Sequence, residues 1–314
     1  MNIQRRQFLL MAGAGAVASS WGTMPARADE TAPLAFAAAG KEYHFDTGSL
    51  RGTLRAGGVS KGLGPVQDIG TGKAIAGMFG LLSPYRLLTA DARFGTAAWE
   101  WASQARLLEN HAVEVRWTAD REHPLEMTAE YNIEAADKID LKLTVKPQQD
   151  LRGFELFLAS YFQGFERTFA YVRGAAATDN DGKPLLVEAT RADGNWQVFP
   201  RDDAAKRFYG DGRWKRPPNP VDWVVRQTLA APLAVRRDTA SGLAAALMAP
   251  AGDCFALAMP YGEESHRSVY LSLFGHDVKA GETAVARVRL VVRRGLSDEK
   301  AVQLYRAYQD QNRK

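Results

Sequence analysis

The sequence predicts an all-β protein: a large antiparallel sandwich of two stacked sheets with a short C-terminal helix. Three observations carry this. Segment after segment alternates apolar and polar residues with period two, the spacing that turns one strand face to a core and the other to water. Turn-prone stretches such as Glu134-Ala135-Ala136-Asp137 separate these segments. Helical spacing is confined to two short stretches, and there is no strand–helix–strand alternation, no glycine-rich phosphate loop and no internal repeat.

The chain of 314 residues opens Met1-Asn2-Ile3-Gln4-Arg5-Arg6-Gln7-Phe8-Leu9-Leu10. The paired Arg5 and Arg6, a mildly apolar run from Phe8 to Val17, and Ala26-Arg27-Ala28 after Pro25 read as a charged n-region, an h-region and a cleavage site. Arg-Arg-x-Phe-Leu resembles a bacterial twin-arginine signal, and the basic Arg27 just before the cut suits that route. The resemblance implies that the twin-arginine translocation machinery exports the folded domain to the periplasm and that residues 1–28 are removed. The apolar run is far shorter than the about 20 residues that span a bilayer, so no stable membrane anchor is expected after cleavage.

The chain carries 40 Lys+Arg and 36 Asp+Glu; the leader holds three of the arginines and no acid, leaving 37 against 36. No basic tract is interleaved with aromatics, so nucleic acid is not a predicted partner. Cys254 is the single cysteine, which permits no intramolecular disulfide and no thiolate metal cluster. Within the strand-like Asp253–Met259 it reads as a small buried apolar residue rather than a nucleophile.

Residues 29–40 are small and featureless and read as a flexible tail; 41–314 read as a single β-sandwich domain. Strands are predicted at Tyr43–Asp46, Ser49–Arg55, Val113–Thr118, Leu125–Asn132, Ile139–Lys146, Glu155–Phe162 and Thr168–Val172. A stretch rich in Gly, Pro and Asp, about 174–222, has weak periodicity and reads as a long insertion. It holds Trp196 and Trp214 and is bordered by Trp223, so plain disorder is not expected. Further strands follow at Val224–Leu229, Leu233–Asp238, Leu243–Met248, Cys254–Met259, Ser268–Phe274 and Ala284–Arg293. The terminal helix runs from Ser297, a good N-cap followed by Asp298 and Glu299, with Val302, Tyr305 and Tyr308 at helical spacing. A shorter helix is predicted at Asp202–Tyr209.

The strand Ser268–Phe274, the turn Lys279-Ala280-Gly281-Glu282-Thr283 and the strand Ala286-Arg287-Val288-Arg289-Leu290-Val291-Val292 come in succession before the last helix. This closing pattern resembles the end of galactose-mutarotase-like supersandwich domains. Those occur in sugar epimerases, in several polysaccharide lyases and glycoside hydrolases, and in periplasmic glucan-biosynthesis proteins. The resemblance implies a concave sheet that faces a sugar or polysaccharide. No catalytic motif of that family matches residue by residue, so no role is carried over.

Three constellations could carry chemistry. The first is Tyr85-Arg86, Arg93 and Trp99-Glu100-Trp101: as a strand, it would set both indoles on one face with Glu100 opposite. Indoles stack on sugar rings and charged groups fix hydroxyls; equally, two such rings fill a sandwich core. The second is Arg201-Asp202-Asp203, where Arg201 offers a planar fork to a uronate or vicinal hydroxyls; the alternative is a helix start with Asp202 as N-cap. The third is Tyr261-Gly262-Glu263-Glu264-Ser265-His266-Arg267, the densest ionisable cluster. His266 would transfer protons with Glu263 or Glu264 as partner and Tyr261 beside it, and Arg267 would hold substrate; the alternative is a wet hairpin tip. Trp223 is a further candidate for substrate contact.

His44, His111, His123 and His276 show no H-x-H or H-E-x-x-H spacing, so no transition-metal site is predicted. Asp179-Asn180-Asp181-Gly182 is oxygen-rich but lacks the later Glu of a calcium loop and reads as a turn. No cofactor motif and no G-x-S-x-G elbow occurs. The sequence therefore points to a periplasmic carbohydrate-active protein, an epimerase, lyase or hydrolase if it is an enzyme. The rival reading is a non-catalytic glycan-binding or envelope scaffold. A weaker third is a partner subunit exported with a cofactor enzyme.

Overall fold

The computed structural model describes residues 34–77, 79–174 and 182–313. The leader, and with it the twin-arginine reading, lies outside these residues, as do Asp179, Asn180 and Asp181.

The architecture is all-β with two large sheets, a smaller third sheet and a helix at the end of the chain. The nine-stranded sheet runs in the order β12 (Leu185–Glu188), β11 (Arg167–Val172), β15 (Leu229–Arg237), β16 (Leu243–Met248), β19 (Ala284–Arg294), β9 (Lys138–Pro147), β8 (Leu125–Ala135), β7 (Val113–Trp117) and β6 (Gln104–Leu107), antiparallel throughout. The alternation of β8 is what placed it here. Leu125, Met127, Ala129, Tyr131 and Ile133 are buried, and the residues between them are half-exposed.

The six-stranded sheet runs β14 (Val224–Val225), β13 (Trp196–Pro200), β17 (Cys254–Pro260), β18 (Ser268–Val278), β10 (Leu151–Tyr161) and β5 (Ser83–Leu88). Only the β13–β14 pair in it is parallel. Leu156, Leu158, Leu257, Met259, Leu271 and Leu273 point from this sheet into the core they share with Leu141, Leu143, Val145 and Val288 of the other. Two stacked sheets around one apolar core follow from that pattern.

Each large sheet is also covered over part of its outer face, which is why strands such as β16 and β17 read as unbroken apolar runs. Helix α2 (Asp298–Gln311) lays Ala301, Tyr305 and Tyr308 over Leu233, Val235, Ala244, Ala246, Met248 and Val291. Ser297 caps it by accepting the Lys300 N–H at 3.3 Å. The outer face of the six-stranded sheet is covered instead by side chains of the insertion.

The third sheet, β1 (Ala37–Ala39), β2 (Glu42–Asp46), β3 (Leu50–Arg55) and β4 (Gly62–Asp68), adds Phe45, Leu50, Leu54, Leu63 and Val66 to the common core. The described end of the expected tail is part of this sheet. Ala37–Ala39 pair with β2, and Phe36 is buried against Phe45. A small-residue stretch can still pair as an edge strand, and its one large side chain anchors it.

The expected insertion is likewise built into the fold. Its described part contributes β12 to one sheet and β13 to the other, then α1 (Asp203–Gly210). These strands have four and five residues, too short for period two to stand out. The strand expected around Trp99 is a 3-10 turn, Ala98–Glu100. The expected strand Val224–Leu229 is two pieces, β14 and the start of β15.

Candidate functional site

A cleft of about 720 Å³ opens on the outer face of the six-stranded sheet. Its floor follows from strand alternation. Along β10, Glu155, Phe157, Ala159 and Tyr161 share the face opposite to core residues Leu156 and Leu158. Tyr270 of β18 pairs with Ala159 in register and stacks on Phe157, with centroids 4.5 Å apart and planes 16° apart. On β17 the same face carries Ala256 and Ala258, and Phe255, brought to it by an irregularity in the pairing with β18, packs on Phe208 and Tyr209 of α1.

The walls rise on two sides. The insertion supplies Trp214 and its border supplies Trp223; their rings meet edge-on at 5.3 Å, while Trp214 also packs on Phe157 at 4.6 Å. Trp196 of β13 stands beside Trp223 at 5.9 Å. On the other side, β5 supplies Tyr85 and Arg86 at an irregularity in its pairing with β10, between Phe157 and Leu158. Tyr85 is fixed from outside by Trp99, stacked on it at 4.3 Å with planes 4° apart.

Three arginines staple the insertion in place. Buried Arg213 donates to the Gly153 carbonyl at 2.8 Å, pairs with Asp211, and lies 3.3 Å from fully buried Glu155. Arg216 donates to the carbonyls of Thr89 and Ala90 at 3.2 and 2.6 Å. Arg93 donates to the carbonyls of Gly95, Thr96, Arg216 and Pro218.

At the rim stands His266, in the connection between β17 and β18. Its Nδ1 lies 2.9 and 3.1 Å from the two Glu264 carboxylate oxygens, and its backbone N–H donates to Glu264 Oε2 at 2.8 Å. With Nδ1–H donated to that carboxylate, Nε2 keeps its lone pair as a base; the tautomer is assigned from this bonding. The imidazole sits 5.4 Å from the Trp196 ring and 6.4 Å from Tyr161.

The connection is held at its base by Arg236, which is fully buried and donates to the carbonyls of Phe165, Gly262 and Ser268 at 2.9, 2.7 and 3.1 Å. Gly262 passes so close to the Glu166 carbonyl that a Cβ would stand 1.9 Å from it. The loop is therefore anchored at both ends, and only its tip faces water.

The Tyr161 and Tyr270 hydroxyls stay protonated. Tyr270 donates to the Tyr161 hydroxyl at 3.2 Å. Burial pushes the Tyr270 phenol up to about 12 and holds Tyr161 well above its ordinary value. Tyr161 is thus left with its own proton to donate.

Of the residues singled out in the sequence, Tyr85, Arg86, Trp223 and His266 line the cleft, with Glu264 behind His266, and so do Trp196 and Trp214 of the insertion. Trp99 and Arg93 support it from outside. The remainder do not line it. Trp101 turns away to pack on His123 at 3.7 Å, because the 3-10 turn rotates it off the face that Trp99 occupies. Glu100 points to solvent. Arg201 and Asp202 lie beyond the far end of β13, about 16 Å along the strand from Trp196. There Arg201 pairs with Asp202, and Asp202 caps α1 by accepting the Ala205 N–H at 2.8 Å. Glu263 is exposed on the side of Arg167, and Tyr261 lies under the Arg191 guanidinium. Arg267 is half-buried beside Arg236. Tyr161, Tyr270 and Phe157 received no role in the sequence reading. The signal that marks them is Glu155, an acid two residues from Phe157 within Phe154–Ala159, a run otherwise apolar on both faces.

No protein-family model and no curated protein matches the chain. Among solved structures, it is similar to the Slr1438 protein of Synechocystis sp. PCC 6803, at 13% identity and TM-score 0.48 over 81% of this chain and 96% of that one. It is similar to an aldose epimerase homologue of C. elegans at 8% identity and TM-score 0.47, over 81% and 99%. A third is the α-N-acetylgalactosaminidase of Bifidobacterium bifidum in complex with GalNAc, at 11% identity and TM-score 0.48, over 88% of this chain and 39% of that one. At such distances the chemistry of the cleft has to be read from its own side chains.

Proposed function

We propose that this protein is a periplasmic carbohydrate-active enzyme, reached through twin-arginine export, that seats a sugar unit of a glycan in the cleft and moves a proton on it through His266. The observation that carries the reading is the joining of an aromatic-walled cleft to a carboxylate-backed imidazole at its rim. Indole and phenol rings offer flat apolar surface to the C–H faces of a pyranose. Trp214 and Trp223 each hold a buried indole N–H with no partner, a donor ready for a ring hydroxyl. Glu264 orients His266 and stabilises the imidazolium that forms when Nε2 takes a proton.

The test is a glycan and polysaccharide screen that reads binding and product formation for the protein, His266→Ala and Trp196→Ala. Turnover lost in His266→Ala while binding persists supports the reading, and Trp196→Ala is expected to weaken binding about tenfold by loss of one stacking wall. Binding without turnover in every protein points instead to a glycan-binding scaffold. Binding to no glycan removes the carbohydrate reading.

A further inference from the structure

We propose that the sugar seated in the cleft is acidic, a uronic acid whose carboxylate pairs with Arg86. This rests on the carbohydrate reading above and names the substrate class within it. Arg86 lines the cleft and is only 6% exposed. Its hydrogen bond is from one terminal nitrogen to the Tyr85 hydroxyl at 3.2 Å, and Nε is buried with no partner. No carboxylate among the described residues pairs with it. A buried cation without a counter-ion is strongly unfavourable, and something that enters the site is the natural source of the missing charge.

The surroundings reinforce this. The guanidinium lies 4.9 Å from the Tyr85 ring centre and 5.3 Å from that of Trp214, which attract a cation but do not neutralise it. Arg93 adds a second positive charge close by. Burial first, and then the charge of Arg86, pull the Arg93 guanidinium down to about 10. Its donors are taken by backbone carbonyls, so it raises the local potential without closing the site. The nearby acids are engaged elsewhere: Asp222 with Lys215 and Glu264 with His266. A planar guanidinium edge with two free donors matches the two oxygens of a carboxylate.

Tryptophan fluorescence follows occupancy, since Trp196, Trp214 and Trp223 line the cleft. Glucuronate, galacturonate and their oligomers are titrated against glucose, galactose and their neutral oligomers, and against galactose sulfate, with the protein, Arg86→Gln and Arg86→Lys. The uronates are expected to bind at least about tenfold more tightly than their neutral counterparts. Arg86→Gln should weaken uronate binding by about 10- to 100-fold and neutral-sugar binding by clearly less, so that the preference for uronates collapses, and Arg86→Lys should keep part of the preference. Equal binding of uronates and neutral sugars by the unmodified protein overturns the proposal while the carbohydrate reading stands, and needs no variant to fold. Preference for the sulfate over the uronates overturns the carboxylate assignment. If no sugar of either kind binds, both readings fall together.

Discussion

Replacing Glu155 by glutamine is expected to change how stability depends on pH within a defined window. Glu155 is fully buried on the cleft side of β10. Burial raises its carboxyl from 4.5 to about 7; Arg213 and Ser272 oppose that rise and Asp211 adds to it. Between about pH 4.5 and 7 the folded protein therefore keeps a proton that the unfolded chain has released. Stability falls as pH rises through that window: the favourable contribution is complete below about 4.5 and gone above about 7. A rise of that size corresponds to about 3 kcal/mol. The amide of Glu155→Gln cannot ionise, so urea unfolding of both proteins from pH 4.5 to 8 should show the variant gaining about 3 kcal/mol relative to the parent. A constant offset from the lost Arg213 contact is superimposed. Tyr209, raised far above 10 by burial, titrates outside the range. A difference that stays parallel across the range would refute the reasoning. A difference of opposite sign would show that the Arg213 ion pair outweighs burial.

Two further outcomes separate structural from ligand-binding roles. Asp202→Ala removes the cap of α1 and should lower stability by about 1 kcal/mol in urea melts, with sugar affinity unchanged; a loss of affinity larger than the loss of stability would return Asp202 to the binding surface. Cys254 is fully buried, and burial pushes its thiol up to about 12, so a thiol reagent at neutral pH should label it only after denaturation. Rapid labelling of the native protein would contradict that packing.

Period-two alternation revealed the strands whose outer face is wet, as in β8, and helical spacing with a serine cap revealed α2. The strands it missed lack one or other condition. β4 carries Gly62, Gly64 and Pro65, β5 carries Pro84, and β12 and β13 are too short for the period to register. The site was less legible still, for a geometric reason. Sequence proximity grouped Tyr261, Glu263, Glu264, His266 and Arg267 as one cluster, but a tight turn sends consecutive side chains in different directions, and only His266 with Glu264 faces the cleft. Trp99 and Trp101 diverge likewise, because a 3-10 turn does not place alternate residues on one face.

The cleft joins elements distant in sequence by two different means, and this bears on what can vary in it. Its floor, Phe157, Tyr161 and Tyr270, lies on strands whose opposite faces form the common core, so a change there disturbs the sandwich itself. Its walls, Trp214 and Trp223, lie in the insertion and at its border, and Arg213, Arg216 and Arg93 fasten the insertion largely through backbone carbonyls. Carbonyl anchors are indifferent to the side chains they carry. The wall residues are therefore freer to change than the floor, and substitutions at 214 and 223 should alter which sugar fits while the sheets remain intact. Arg86 lies at the meeting of the two, on β5 beside the floor strand β10 and against the Trp214 ring. If a uronate binds as proposed, a charge in that position couples the seating of the insertion to the ligand.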